Sequence, residues 1–97
     1  MSAGPDPATV AAHFLVRGRV QGVGFRASAR NRAIALGLYG FARNLSDGRV
    51  ETLAQGPAAA VDAFESWLQQ GPSFAHVDAV QRLPAAVDAQ LQGFDIA

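Results

Sequence analysis

The feature that most constrains the fold is an Asp-Gly pair near the middle of the chain, Asp47-Gly48. It stands between two strand-like runs, residues 38–45 and 49–55. Such a pair is the strongest short-range signal of a β-hairpin, because tight hairpin turns need the positive φ that glycine adopts cheaply. The two runs are therefore predicted to be antiparallel neighbours.

A strand and a helix are predicted before the hairpin. The alternation of apolar and polar residues over 13–20 predicts a half-buried strand with Phe14 and Val16 facing the core. The apolar spacing over residues 26–36 then predicts a helix, and Gly37 stands where a glycine commonly ends one. This half of the chain reads as strand, helix, strand.

A second helix and a further strand are predicted after the hairpin. The helix begins at Gly56-Pro57, since proline suits a first helical turn, and Gly71-Pro72 ends it. Its buried stripe consists of Val61, Phe64 and Leu68. Residues 77–83 predict the fourth strand, and residues 94–96 predict a short final edge strand.

This order of elements predicts one α+β domain. Strand, helix, strand, strand, helix, strand is the split βαβ arrangement, in which an antiparallel sheet carries two helices on one face. A chain of 97 residues can bury one such core. We expect a flexible N-terminal tail over residues 1–10, which holds Gly4, Pro5 and Pro7, and a single domain over residues 11–97.

Charge and composition exclude several classes of function. Eight basic residues balance eight acidic ones, so no net charge attracts nucleic acid or an anionic membrane. The absence of cysteine excludes disulfides, thiolate nucleophiles and cysteine metal sites. No apolar run approaches the roughly 20 residues of a membrane span, and the start lacks the pattern of a secretory signal. We expect a cytoplasmic monomer without membrane or nucleic-acid partners.

The most informative segment is the loop that joins the first strand to the first helix, Gln21-Gly22-Val23-Gly24-Phe25. Its glycines allow successive backbone N–H groups to face one anion, and the helix N-terminus adds partial positive charge. Arg26 follows at the helix start, where its guanidinium could pair with phosphate. A solvated arginine after an ordinary turn is the alternative that local chemistry leaves open.

Residues 22–27 also fit the G-x-G-x-x-A pattern of dinucleotide-binding folds, and Asp47 lies 20 residues beyond Ala27. In those folds the acidic residue ends a parallel second strand, whereas Asp47 lies in the predicted hairpin turn. The chain is also too short for two nucleotide-binding halves. A dinucleotide site is therefore not predicted.

Several segments in unbroken register over about residues 13–83 resemble the acylphosphatase family. The segments are Val16-Arg17-Gly18-Arg19-Val20-Gln21-Gly22-Val23-Gly24-Phe25-Arg26, Leu36-Gly37-Leu38, residues 40–51 with Asn44, Gln55-Gly56-Pro57 and Trp67-Leu68. The resemblance implies a ferredoxin-like two-layer sandwich. It also implies hydrolysis of small acyl phosphates to carboxylate and inorganic phosphate.

By the same resemblance, Arg26 and Asn44 are the catalytic pair, and Asn44 holds the attacking water. The residues implied to bind phosphate are Gln21, Gly22, Val23, Gly24, Phe25 and Arg26. Phe41 stands where the family usually has tryptophan, and Ala27-Ser28 replaces a bulkier pair. These departures leave both catalytic positions intact and bear on packing and on the preferred acyl group.

No cofactor is predicted, and catalysis is expected to be metal-independent, because no His, Asp or Glu residues cluster at metal-ligand spacing. His13 and His76 lie far from both motifs and are interpreted as structural. Two alternatives stay open: a non-enzymatic domain that binds phosphate, and an RNA-binding module with the same order of elements. The second is disfavoured by a single Tyr, a single Trp and zero net charge.

Overall fold

The computed structural model describes residues 8–97. The elements, in chain order, are β1 (Thr9–Arg19), α1 (Phe25–Ala35), β2 (Tyr39–Asn44), β3 (Val50–Pro57), α2 (Ala58–Gln70), β4 (His76–Ala85) and β5 (Phe94–Ile96). Every predicted strand and helix is present. No helix in the described range is long and apolar enough to cross a membrane.

The five strands form one sheet in the order β4-β1-β3-β2-β5. The first four strands pair antiparallel, and β2 with β3 forms the predicted hairpin. The α+β ferredoxin-like fold is thereby confirmed. The sheet is mixed rather than wholly antiparallel, because β5 lies parallel to β2 at the edge opposite β4.

The core lies between the sheet and the two helices. Phe14 and Val16 of β1 are fully buried, as predicted, and so is the stripe of α2 formed by Val61, Phe64 and Leu68. The rings of Phe14 and Phe64 meet edge to face at 6.0 Å between centroids, which joins β1 to α2. Burial of each such side chain contributes about 1.5–3 kcal/mol.

Some boundaries differ from the predicted ones. β1 begins at Thr9, which pairs with Pro57, so residues 9 and 10 belong to the strand and not to a tail. The rest of the predicted tail, residues 1–7, lies outside the described residues. Pro57 ends β3 and is the N-cap of α2 rather than a residue of its first turn, because its ψ of 141° is extended. β4 is longer at both ends than residues 77–83.

The connection from β4 to β5 consists of residues 86–93 and is bonded to the central strand β3. β4 and β5 occupy opposite edges of the sheet, so residues 86–93 must pass from one edge to the other. The side chain of Gln55 holds this connection to the central strand β3: its Nε2 donates to the Asp88 carbonyl oxygen at 2.9 Å, and its Oε1 accepts from the Asp88 N–H at 2.8 Å. Gln55 is only 5% exposed as a result.

Candidate active site

The backbone of the β1–α1 loop alternates in the sign of φ over residues 22–24, positive at both glycines and negative at Val23. Gly22 and Gly24 both have φ of 75°, whereas no non-glycine residue between 8 and 97 has a positive φ. Gly24 is also the N-cap of α1, and no side chain caps that end of the helix. Alternation of left-handed and right-handed residues forms the concave arrangement of N–H groups that suits anions. The sequence therefore places glycine at the two positions where this backbone requires it.

A cleft of about 160 Å³ opens beside this loop. The lining residues are Val20, Gly22, Gly24, Phe25, Arg26, Ala27, Asn44 and Ile96. Arg26 and Asn44 are the polar side chains of this lining, and Gly22 and Gly24 contribute backbone. Val20, Ala27 and Ile96 supply apolar surface. The two residues of the predicted catalytic pair thus line the same cleft, although they are 18 positions apart in sequence.

Asn44 ends β2 and presents a buried, unpartnered oxygen. Its Oδ1 is buried and accepts no hydrogen bond from any residue that the structure describes. A buried acceptor without a partner costs about 1–3 kcal/mol, so such groups in native proteins call for a reason. The Asn44 amide is therefore available to accept a hydrogen bond from a molecule in the cleft.

Arg26 lies in the first turn of α1 and is half-buried. Its Nη1 donates to the backbone oxygen of Ala97 at 2.9 Å, which connects the start of α1 to the residue that follows β5. A guanidinium carries five N–H donors, so further donors remain for an anion. A cation at a helix N-terminus is unfavourable because the helix dipole is positive at that end. A bound anion would interact favourably with both the Arg26 guanidinium and the helix N-terminus.

Gln21 has a role that sequence reasoning missed. Its Nε2 donates to the backbone oxygens of Leu45 at 2.7 Å and of Arg49 at 2.9 Å. These two carbonyls belong to the turn of the β2–β3 hairpin. Within the described chain, Gln21 and Val23 do not line the cleft. Of the six residues predicted to bind phosphate, the structure therefore places Gly22, Gly24, Phe25 and Arg26 at the cleft.

The turn of the hairpin is closed by its own hydrogen bonds. The Leu45 N–H donates to the Arg49 carbonyl at 2.8 Å, and the Asp47 carboxylate accepts from the Arg49 N–H at 3.0 Å. The backbone N–H of Arg49 lowers the pKa of Asp47, and the Arg49 side chain acts in the same direction. Asp47 thus lies in the hairpin turn, as predicted.

The residues that depart from the family pattern lie in different places. Ala27 lines the cleft, so a larger side chain there would change its shape. Phe41 lies on the opposite face of the sheet, where its ring is 6.3 Å from that of His13 and 5.4 Å from the Arg43 guanidinium carbon. Ile96 was predicted to lie in an edge strand, but nothing in the sequence indicated that β5 pairs with β2 and so brings it to the cleft.

Fold and cleft together define a class of small ferredoxin-like domains in which a glycine-containing strand-to-helix loop and an asparagine face one cleft. The family model described as acylphosphatase matches residues 12–96. This chain therefore belongs to the acylphosphatase family, which is a family of hydrolases.

Individual relatives agree with this assignment. The chain is 61% identical over 77 residues to an acylphosphatase of Xanthomonas oryzae pv. oryzae, covering 79% of this chain and 88% of the relative. The structure of an acylphosphatase from Coxiella burnetii superposes with a TM-score of 0.88 at 36% identity, covering 93% of this chain and 94% of the other. The structure of full-length HypF in a phosphate- and nucleotide-bound form gives 0.86 at 29% identity, covering 97% of this chain and 12% of HypF.

Proposed function

We propose that this chain hydrolyses the carboxyl–phosphate bond of small acyl phosphates in the cleft between the β1–α1 loop and Asn44. The observation that carries the proposal is the buried, unpartnered Asn44 Oδ1, which lines the same cleft as Arg26 and the N-terminus of α1. Membership of the acylphosphatase family supports the choice of reaction. The products are a carboxylate and inorganic phosphate.

The phosphate is held by Arg26 and by backbone N–H groups of the loop residues at the cleft, Gly22, Gly24 and Phe25. Helix N-termini bind phosphate because their first N–H groups have no partner within the helix. The guanidinium supplies a fork of donors that matches two phosphate oxygens. Together they neutralise the charge on the equatorial phosphoryl oxygens as the P–O bond breaks.

Asn44 holds the attacking water. Its Oδ1 accepts a hydrogen bond from the water, and its amide does not titrate near neutral pH. The water oxygen forms the new bond to phosphorus, the bond from phosphorus to the carboxylate oxygen breaks, and the carboxylate leaves with the electron pair. One water proton stays on the oxygen that joins phosphorus, and the other passes to a phosphoryl oxygen, so the product is inorganic phosphate. A carboxylate is a good leaving group, so the step needs no strong general acid.

The reaction is proposed to be metal-independent. Among the described residues that line the cleft there is no His, Asp or Glu, and these are the side chains that bind catalytic metals in the absence of cysteine. Positioning and electrostatic stabilisation are then the sources of the rate acceleration. A chelator should leave turnover unchanged.

Hydrolysis of benzoyl phosphate, measured with and without EDTA, tests the proposal. Arg26→Ala should lose both turnover and inhibition by inorganic phosphate, whereas Asn44→Ala should lose turnover and retain phosphate binding. The loss of one such preorganised group costs about a hundredfold to a thousandfold in rate. Arg30→Ala, an exposed arginine on the same helix, is the matched control and should be near wild type. Turnover at the wild-type rate by Arg26→Ala or Asn44→Ala would contradict the assignment.

A second candidate is a domain that binds phosphate without hydrolysis as part of a larger assembly. The similarity to a segment of the much longer HypF favours it. Inhibitor binding without any benzoyl phosphate hydrolysis by the wild-type chain would support this alternative. A monomeric, cytoplasmic protein without nucleic-acid partners stays a prediction, and light scattering together with an RNA-binding assay tests its first and last parts.

A further inference from the structure

We propose that the Gln21 side chain is a positioning residue for Asn44, which it serves by fixing the β2–β3 hairpin against the β1–α1 loop. The inference rests on the proposed role of Asn44 in holding water. It concerns the side chain of Gln21, whereas the family resemblance concerns only the backbone of that loop.

The geometry is that of a two-pronged link. The Gln21 amide uses both of its N–H groups, at 2.7 Å to the Leu45 carbonyl and 2.9 Å to the Arg49 carbonyl. The residues joined are 24 and 28 positions apart in sequence. Because both partners are acceptors, only the nitrogen of the amide can face them. The link therefore requires a donor with two N–H groups at this point.

The two acceptors belong to Leu45 and Arg49, the residues that flank the turn 46–48 and are here called the neck of the hairpin. The Arg49 carbonyl also accepts from the Leu45 N–H at 2.8 Å, and the Leu45 carbonyl from the Gly48 N–H at 3.2 Å. Residues 46–48 beyond the neck are exposed, so core packing does not hold them. The Gln21 amide is consequently the described side-chain link between the phosphate-facing loop and this turn.

Asn44 immediately precedes the neck of the hairpin. A shift at Leu45 is thus transmitted through one peptide unit to the residue that carries the unpartnered oxygen. In-line attack needs the water and the phosphorus within about 3–3.5 Å of each other, and a displacement of about 1 Å can cost a hundredfold in rate. The Gln21 side chain itself does not line the cleft, so its effect must act through Asn44 and the loop.

Two substitutions remove the link in different ways. Gln21→Met keeps the length of the side chain and removes both donors. Gln21→Glu keeps the shape and, when ionised, presents acceptors to two carbonyl oxygens, which adds repulsion. We expect kcat for benzoyl phosphate to fall about tenfold in Gln21→Met and further in Gln21→Glu. The inhibition constant for inorganic phosphate should stay within about twofold, because Arg26 and the loop remain.

A double-mutant cycle distinguishes positioning of Asn44 from a general effect on the loop. If Gln21 acts through Asn44, Gln21→Met should change kcat by less than about twofold in an Asn44→Ala background, since interacting residues are not additive. The side-chain amide resonance of Asn44 in NMR spectra should also shift in Gln21→Met. Asp47→Ala is the control, because Asp47 bonds within the same turn and has no described bond to the β1–α1 loop.

Three results would overturn the inference. They are a wild-type kcat in Gln21→Met, an equal fall in the Asn44→Ala background, and a parallel weakening of phosphate inhibition. If the variants are too unstable for kinetics near room temperature, the NMR measurement takes the place of kinetics. An unshifted side-chain amide resonance of Asn44 in Gln21→Met would then overturn the inference. If Asn44→Ala alone turned over like wild type, the proposed function would fail instead, so the two failures are distinguishable.

Discussion

Removal of the Gln55 side chain should destabilise the whole domain measurably. Gln55→Ala deletes two hydrogen bonds, of 2.9 Å and 2.8 Å, that hold residue 88 to the central strand. Each such bond contributes a net stabilisation of about 1 kcal/mol in mutational series, so we expect a loss of about 2 kcal/mol. For a domain of this size, that loss corresponds to a fall in Tm of about 8–16 °C.

Urea unfolding followed by Trp67 fluorescence measures this change, and thermal unfolding followed by circular dichroism checks it independently. Gln69→Ala is the matched control, because Gln69 is an exposed glutamine on α2. The control should change the free energy of unfolding by less than about 0.5 kcal/mol. A similarly small effect of Gln55→Ala would refute the view that this side chain anchors the connection between β4 and β5.

Three further predictions concern stability. Gly40→Ala should lower the free energy of unfolding, measured by chemical denaturation, by about 3 kcal/mol or more. The reason is that φ at Gly40 is +154° and a Cβ there would overlap the Leu53 carbonyl oxygen. Gly24→Ala, at a position with φ of 75° and open space around it, should lower the free energy of unfolding by less. Arg82→Met should lower the free energy of unfolding by about 1 kcal/mol, because it breaks two ion pairs between β4 and α2. The loss should be smaller in about 1 M salt, which screens these pairs in the wild type. The lowered pKa of Asp47 means that its ionised form stabilises the fold above pH 3.8, and this contribution disappears as pH falls through the lower folded-state value. Acid titration of stability should therefore show a smaller loss in Asp47→Asn than in the wild type.

Most of the fold was predictable because its signals are local. An Asp-Gly turn, two glycines that end helices and the alternation around Phe14 each depend on neighbouring residues, and the structure confirms the elements they indicate. The pairing of β5 depends on no local signal. Three residues carry too little pattern to choose a partner strand, so the parallel pairing with β2 could not be anticipated.

In the candidate site, too, the features with a local sequence signal were predicted and the long-range contacts were not. Arg26 and Asn44 were identified from motifs, and both line one cleft, while their catalytic roles stay predictions until the variants are measured. The contacts of Gln21 and Gln55 could not be predicted, because each joins segments more than 20 residues apart. Glutamine is ordinarily a surface residue, so nothing in its type indicates burial. Long-range polar links of this kind become visible only once the chain is folded.

The cleft is complete only when the parallel edge strand β5 is paired with β2, because this pairing brings Ile96 to it. Its lining residues run from Val20 to Ile96, so a fragment that lacks any part of residues 20–96 lacks part of the cleft. During synthesis, the cleft cannot be completed before residue 96 has emerged and β5 has joined β2. A phosphate bound there would stabilise only the finished fold, by mass action. Ligand binding and the pairing of β5 with β2 are thus thermodynamically coupled.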